Sequence, residues 1–169
     1  EFLLKGKEGH HTITAEANAK ALKMFDAAIE ADPDNAQAYA WKACTLGQAM
    51  VRGYVDKPLQ EIMPEFSDLM ASALSIDPND FECHRMLSAV YLSNHDYKRA
   101  EEHGRIAYRL NPNDPRVLSG TGEVLVRIGD EENGIALLEK ALTLDPIPMG
   151  QTTSDNRYKD LVLGYYCAC

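Results

Sequence analysis

Small and apolar residues recur along this chain at fixed distances before four prolines: Pro33, Pro78, Pro112 and Pro146. An alanine stands five residues before each proline, and further small or apolar residues stand twelve, eight and two residues before it. In chain order these positions are Ala21, Phe25, Ala28 and Ala31; Phe66, Met70, Ala73 and Ile76; Ala100, Gly104, Ala107 and Leu110; and Gly134, Leu138, Ala141 and Leu144. Steps of three or four residues follow one face of an α-helix. The pattern therefore predicts a helix that buries this stripe and ends near each proline.

A second stripe follows the first three prolines and predicts a second helix after each of them. Six, ten and thirteen residues past the proline the chain has Tyr39, Ala43 and Leu46; His84, Ser88 and Tyr91; and Leu118, Gly122 and Leu125. Polar residues that favour helix starts precede these and other helices, and we expect N-caps at Thr14, Asn35, Asp80, Asp96, Asp114 and Asp130. Pro115 suits a first helical turn, and Gly129 is expected to end the helix before Asp130.

The last three prolines are 34 residues apart, a period typical of repeated antiparallel helix pairs. Because one pair cannot bury its apolar face alone, such pairs stack into an elongated solenoid. We therefore expect an all-α fold forming a single domain over residues 1–169, with repeats at about 2–34, 35–79, 80–113 and 114–147. A partial fifth repeat helix is expected at 157–169. The second repeat is 45 − 34 = 11 residues longer, and we place an insertion near 51–64 and a long turn at 9–14.

This pattern resembles the tetratricopeptide repeat. The resemblance is carried by the series Ala21, Phe25, Ala28 and Pro33 and by the small residues at the position of Gly122. It implies a right-handed superhelix of helix pairs, in which the first helix of each pair lines a concave groove that binds a protein or peptide segment. Two positions depart from the usual pattern: Gly104 replaces a large residue, and His84 replaces a large aromatic residue.

The implied groove has candidate contact residues on three helices: Gln37, Ala40, Cys44, Gln48, Glu82, Arg85, Arg116, Ser119, Glu123 and Arg127. The three arginines form either a cationic track for an acidic or carboxylate-bearing peptide or exposed ion pairs with Glu82 and Glu123, which contribute little energy. Some family members grip the terminal carboxylate of chaperones with lysine and asparagine on this face. Ala40 and Cys44 stand at the corresponding places here, so we do not expect chaperone cofactor activity.

The composition limits the possible partners. With 17 Lys and Arg against 26 Asp and Glu, the net charge is −9, which disfavours nucleic acid. No run of 18 apolar residues is present, so we expect no membrane insertion, and no secretory start is recognisable. The four cysteines, Cys44, Cys83, Cys167 and Cys169, have no Cys-x-x-Cys spacing and suggest free thiols in the cytoplasm. Because the chain opens on Glu1 rather than Met, we expect it to be a piece of a longer protein.

No motif indicates catalysis, so we expect no enzyme activity and no cofactor in this chain. Gly120 and Gly122 follow no predicted strand and are assigned to helix packing. The His10–His11 pair is expected in an exposed polar turn. Cys83, His84, His95 and His103 fit no known metal-ligand spacing, so we expect no metal site.

The last residues of the chain form an unusually apolar segment for a terminal solenoid helix, which normally has a polar outer face. Exposed apolar surface of this kind marks an interface. The candidate self-association residues are Leu161, Leu163, Tyr165 and Tyr166, and we expect a homodimer through this helix.

A second resemblance concerns residues 2–33 and the insertion near 51–64. They are similar to repeat regions that lie C-terminal to class III adenylate or guanylate cyclase domains in bacteria, and to repeats that follow winged-helix regulators. This implies an alternative to a free-standing interaction module, namely the regulatory or dimerisation region of a cyclase-like signalling protein. The metal-binding aspartates of the cyclase are absent from this chain, so no cyclase activity is expected in it.

Overall fold

The computed structural model describes residues 1–146 and 155–168, and this part of the chain is helical with no β-strand. In chain order the helices are α1 Phe2–His11, α2 Ala15–Ala31, α3 Ala36–Val51, α4 Leu59–Ile76, α5 Phe81–Ser93, α6 Tyr97–Leu110, α7 Pro115–Arg127, α8 Glu131–Leu144 and α9 Asp155–Cys167. The predicted all-α class of solenoid type is confirmed. Each of the four predicted repeats contains one helix pair, and α9 follows them.

The helix starts use the side chains that the sequence predicts. Side-chain oxygens of five residues accept a backbone N–H from the first turn that follows: Thr14, Asn35, Asp80, Asp96 and Asp114. The prediction is wrong in one respect at Asp130, which stands at the N-cap of α8 but makes no side-chain capping hydrogen bond. Its carboxylate instead accepts from the amide of Asn133 at 2.7 Å.

Just after the ends of α5 and α7, two residues 34 positions apart adopt the left-handed backbone conformation. Gly129 has a φ of +89°, as its predicted role in ending α7 requires, and His95 has a φ of +60° after α5. Only glycine adopts this region without steric cost. The repeat therefore uses the same backbone turn twice, once with a residue that carries a side chain.

The chain divides into two compact units, Glu1–Cys83 and His84–Cys169. In the first unit, the Phe25 ring is fully buried between helices and packs with Ala21 and Trp41. A Cβ atom at Gly6 would lie 2.5 Å from that ring, so α1 can approach α2 only because residue 6 has no side chain. Close approach of the backbone thus fixes the first helix pair around Phe25.

In the second unit, α7 and α8 touch through glycine. A Cβ atom on Gly134 would lie 2.9 Å from the carbonyl oxygen of Gly122 and 2.7 Å from a methyl group of Val126. Leu118 and Leu138 are buried beside this contact, at 0% and 1% exposure. The two backbones therefore pack as closely as the small residues of the stripe predict.

Three details of the prediction are corrected. α1 continues to His11, so the turn before α2 is shorter than residues 9–14. The insertion is divided between residues 52–58, which are not helical, and the first turns of α4, which include Pro64. The stripe position two residues before each proline is not buried: Ala31 is exposed, and Leu110 and Leu144 are 39% and 51% exposed. These residues lie in the last turn of their helices, where the neighbouring helix no longer covers them.

Within the described residues, no helix combines the length and apolar character needed to cross a bilayer.

Candidate functional site

The surface of α7 presents four of the predicted groove residues on one stripe. Arg116, Ser119, Glu123 and Arg127 succeed one another at intervals of three and four residues, and all are partly or fully exposed. Seven other residues of α7 are buried: Val117, Leu118, Thr121, Gly122, Val124, Leu125 and Val126. The polar stripe is therefore the side of α7 that a partner can reach.

The Arg116 guanidinium is held at the start of that stripe by Asp114. Its Nε and one terminal nitrogen donate to the two carboxylate oxygens at 3.2 and 2.7 Å. Burial alone would raise the pKa of Asp114, but the hydrogen bonds and charge of Arg116 lower it further than burial raises it, so the pKa lies below its ordinary value. Asp114 thus caps α7 and orients Arg116 with one carboxylate.

Arg127 occupies the other end of the stripe and pairs with Glu123 one turn earlier. Its Nε and terminal nitrogen donate to one Glu123 oxygen at 3.1 and 2.9 Å. Of the two interpretations of the arginines, the ion pair with Glu123 is therefore formed in this structure. Such exposed pairs are weak and screened by salt, so Arg127 remains able to exchange onto a ligand carboxylate.

The other predicted groove residues differ in how accessible they are. Arg85, on α5, is partly exposed, whereas Glu82 on the same helix is 3% exposed and Ala40 on α3 is fully buried. Ala40 and Glu82 therefore offer almost no side-chain surface to a ligand. Gln37, Cys44 and Gln48, on α3, are partly exposed.

In the first unit, Gln37 already makes several hydrogen bonds. Its side-chain oxygen accepts from Lys7 at 3.2 Å and from the Trp41 indole at 3.1 Å, and its side-chain nitrogen donates to Asp80. The Lys7 ammonium also lies 4.9 Å from the centre of the Trp41 ring, a cation–π geometry. The polar side chains of this part of α3 are therefore already held by contacts within the first unit.

His10 and His11 are placed differently from the prediction. They lie in the last turn of α1, partly exposed, with ring centres 5.4 and 5.6 Å from that of Trp41. The signal that could have placed them is the helical spacing of four between Gly6 and His10, which continues the packed face of α1. Sequence reasoning missed it because the polar residues around them suggested a turn.

The cysteine and histidine set considered for a metal is dispersed. His84 and His103 join α5 to α6, with their Nδ1 atoms 2.9 Å apart, and the Tyr91 ring stacks on His103 at 5.5 Å. His95 instead contacts Tyr97. Burial, and then the nearby His84, lower the pKa of His103. Among the described residues no three side chains form a group suited to a metal ion.

α9 packs one face on the second unit and exposes another. A Cβ atom on Gly164 would meet Ile135 at 2.8 Å, which marks the buried face, and the Tyr165 hydroxyl donates to Glu139 at 2.5 Å. Of the predicted self-association residues, Leu161 and Leu163 are only partly exposed, whereas Tyr165 and Tyr166 are exposed. Sequence reasoning missed two further exposed residues, Tyr158 and Val162, which line up with Tyr166 at intervals of four.

Comparisons with known proteins agree with this architecture. Residues 85–146 match the family model for the tetratricopeptide repeat. YrrB, described as a TPR protein with an unusual peptide-binding site, is 20% identical and superposes with a TM-score of 0.56, over 89% of this chain and 69% of its own. TTC0263, a thermophilic TPR protein of Thermus thermophilus, is 18% identical, with a TM-score of 0.53 over 96% of this chain and 100% of its own.

A third similar structure is part of a larger assembly. The APC/C hetero-tetramer Cut9–Hcn1 is 16% identical, with a TM-score of 0.65 over 89% of this chain and 27% of the other. No curated protein sequence matches the chain significantly. At these identities the similar structures show the fold alone.

Proposed function

We propose that this chain, whose residues 85–146 are tetratricopeptide repeats, is a non-catalytic module that binds an acidic peptide segment of a protein partner along α7. The observation that carries the proposal is the stripe of Arg116, Ser119, Glu123 and Arg127 on a helix whose apolar side is buried. Two guanidinium groups at the ends of the stripe are suited to carboxylates. YrrB, a neighbour in fold, is described as having a peptide-binding site, which supports a ligand of this class.

Peptides selected from a random twelve-residue display library against the chain provide the test. We expect the selected peptides to be rich in Asp and Glu and to lose about tenfold or more in affinity on the double change Arg116→Ala and Arg127→Ala, because charged hydrogen bonds of about 1.5–3 kcal/mol are removed. The matched control is Arg99→Ala with Arg105→Ala, which removes two arginines of α6 that donate to Asp96 and Glu101.

The melting temperature separates binding from folding in this experiment. If the α7 variant has the melting temperature of the wild type and binds the peptides equally well, the stripe is not the binding surface. If the α6 variant loses the same affinity, the effect is one of net charge and the proposal is wrong.

As a second proposal, the chain self-associates through α9. The observation that supports it is a row of exposed, largely apolar side chains on this helix. Tyr158, Val162 and Tyr166 are 50%, 65% and 81% exposed along one side of the helix, and a second copy of the chain would cover them. Analytical ultracentrifugation should show a dimer that Val162→Lys dissociates. Val51→Lys, at a residue 89% exposed in the first unit, is the matched control and should leave the dimer intact. A wild-type chain that is monomeric at high micromolar concentration would contradict this proposal.

The alternative role as regulatory region of a cyclase-like signalling protein rests on the resemblance of residues 2–33 and of the insertion. A cyclase catalytic domain encoded upstream in the same reading frame would support it, and a different upstream sequence would remove its basis. We propose a cytoplasmic location for the chain in either role, since free thiols such as those of Cys44, Cys83 and Cys167 are typical of a reducing compartment.

A further inference from the structure

A cysteine and a histidine from different helices face each other in the first unit. The Sγ atom of Cys44, on α3, lies 3.9 Å from Nε2 of His10, on α1. Cys44 is partly exposed, as access of a small reagent to its thiol requires. A nucleophile beside a base that is itself oriented by a third group is the arrangement that activates thiols in proteins.

The third group here is Thr45, which fixes the tautomer of His10. The Thr45 hydroxyl lies 2.8 Å from the carbonyl oxygen of Trp41 and 3.0 Å from Nδ1 of His10. A hydroxyl has one hydrogen, and a carbonyl oxygen can only accept it. Both contacts are hydrogen bonds only if Thr45 donates to Trp41 and His10 Nδ1–H donates to Thr45. The lone pair of neutral His10 is therefore on Nε2, the atom that faces Cys44.

The position of the base is fixed by the surrounding helices. Thr45 is fully buried, and its carbonyl oxygen accepts from the amide of Asn18, on α2, at 3.0 Å. Gln48, on α3, donates to the carbonyl oxygen of His10 at 3.1 Å. His11 and Lys7 of α1 both lie around Trp41, and α2 contributes the neutral Asn18.

We propose that Cys44 is an activated thiol whose reagent is hydrogen peroxide. The thiol proton passes to His10 Nε2, and the resulting thiolate attacks one peroxide oxygen. As the sulfur–oxygen bond forms, the oxygen–oxygen bond breaks and the leaving hydroxide takes the proton from His10. The products are a cysteine sulfenic acid, water and neutral His10; sulfur loses two electrons and the peroxide gains two. This site is independent of whether a peptide binds α7.

The same chain contains two cysteines that serve as internal standards. Cys83 is fully buried, and burial, followed by the nearby Asp80, raises the pKa of its thiol well above the ordinary value. Cys167 is exposed and represents an accessible thiol at the surface. The proposal therefore predicts a ranking within one molecule, with Cys44 first, Cys167 second and Cys83 last.

The test uses the full chain, reduced and then exposed to limiting hydrogen peroxide with a carbon nucleophile that traps sulfenic acid. Tandem mass spectrometry follows each cysteine separately. At pH 7 we expect Cys44 to react about tenfold faster than Cys167, since an ordinary thiol is only a few per cent ionised there. His10→Gln should bring Cys44 down to the rate of Cys167. Thr45→Val, which removes only the positioning hydroxyl, should give an intermediate rate and shift the pH profile, and His11→Gln should change neither.

Two results would overturn the proposal: a Cys44 rate no greater than that of Cys167, or a His10→Gln variant that is folded and reacts as fast as the wild type. If His10→Gln does not fold, the test uses the wild-type protein instead. The rate at which iodoacetamide alkylates each cysteine is then measured as a function of pH. We expect the rate at Cys44 to inflect at a lower pH than the rate at Cys167. Coincident inflections would show that His10 does not activate the thiol.

Discussion

The α7–α8 pair and the junction of α1, α2 and α3 are held together in opposite ways. Between α7 and α8 the backbones meet at Gly122 and Gly134, and apolar side chains such as Leu138 fill the remaining space. At the junction, a buried asparagine, Asn18, donates to the carbonyl oxygen of Thr45 and to the side chain of Gln48. One contact depends on the absence of side chains and the other on the presence of specific polar ones.

A repeated pattern can specify side-chain size, whereas hydrogen-bond partners must be specified separately at each site. Side-chain size recurs at equivalent positions every 34 residues, so the close contact of α7 and α8 follows from the periodic pattern. Hydrogen-bond partners are set individually, because a buried donor without its acceptor costs about 1–3 kcal/mol. We expect substitutions in the two regions to differ accordingly in size and in what rescues them.

The largest effect is expected at the apolar contact. Leu138 is 1% exposed on α8, so Leu138→Ala should cost about 2–5 kcal/mol of unfolding free energy through lost burial and the cavity left behind. Leu144→Ala is the matched control on the same helix, since Leu144 is 51% exposed. Urea denaturation measures both, and a cost below about 1 kcal/mol at Leu138 would contradict the close packing of α7 and α8.

Alanine substitutions of glycine on α7 and α8 should change the stability of the fold in opposite directions. A Cβ atom on Gly134 would lie 2.9 Å from backbone atoms of α7, so Gly134→Ala should destabilise by about 1–3 kcal/mol. Gly120 has no atom within 4 Å of such a Cβ, so Gly120→Ala should stabilise by about 0.5–1 kcal/mol through helix propensity. Thermal unfolding of the two variants would give shifts in opposite directions. Equal shifts would mean that the backbone contact has no energetic weight.

The polar junction should respond less strongly. Asn18→Ala leaves the Thr45 carbonyl oxygen and the Gln48 side chain without their donor, and we expect a loss of about 1–2 kcal/mol because Gln48 is partly exposed and can turn to water. Asn133→Ala is the control, an exposed asparagine whose removal should change stability by less than about 0.5 kcal/mol. Equal losses in the two variants would show that burial of Asn18 does not matter.

The same division explains how much the sequence revealed. The period and the small residues predicted the helix pairs, their order and the burial of Phe25 and Leu138, because those depend on size and spacing alone. The hydrogen bond from Lys7 to Gln37 and the packing of His10 on Trp41 depend on residues of α1, whose polar end suggested a turn. Periodicity gives the face that a residue occupies but not the contacts that its polar atoms make.

The candidate groove illustrates the same limit. The four residues of α7 lie on one accessible stripe, as their spacing of three and four predicts. Ala40 and Glu82 were chosen by the same rule, yet both are buried. Spacing places a residue at an angle around its helix, whereas burial depends on how far the neighbouring helices reach around it.

The smallest effect sharpens the comparison inside the α7–α8 pair, where two aspartates occupy the same position at the start of each helix. Asp114 accepts from two backbone N–H groups of α7, at 2.8 and 3.3 Å, whereas Asp130 makes no such bond to α8. We expect Asp114→Ala to cost about 1 kcal/mol and Asp130→Ala less than about 0.5 kcal/mol.

Because the pKa of folded Asp114 is lowered, its contribution to folding stability is complete above its unfolded pKa and is lost as the pH falls through the folded value. The difference between wild type and Asp114→Ala in urea should therefore shrink on acidification, while Asp114→Asn should retain the cap at every pH. A larger loss at Asp130 than at Asp114 would mean that the capping hydrogen bond does not determine the stability of these helix starts.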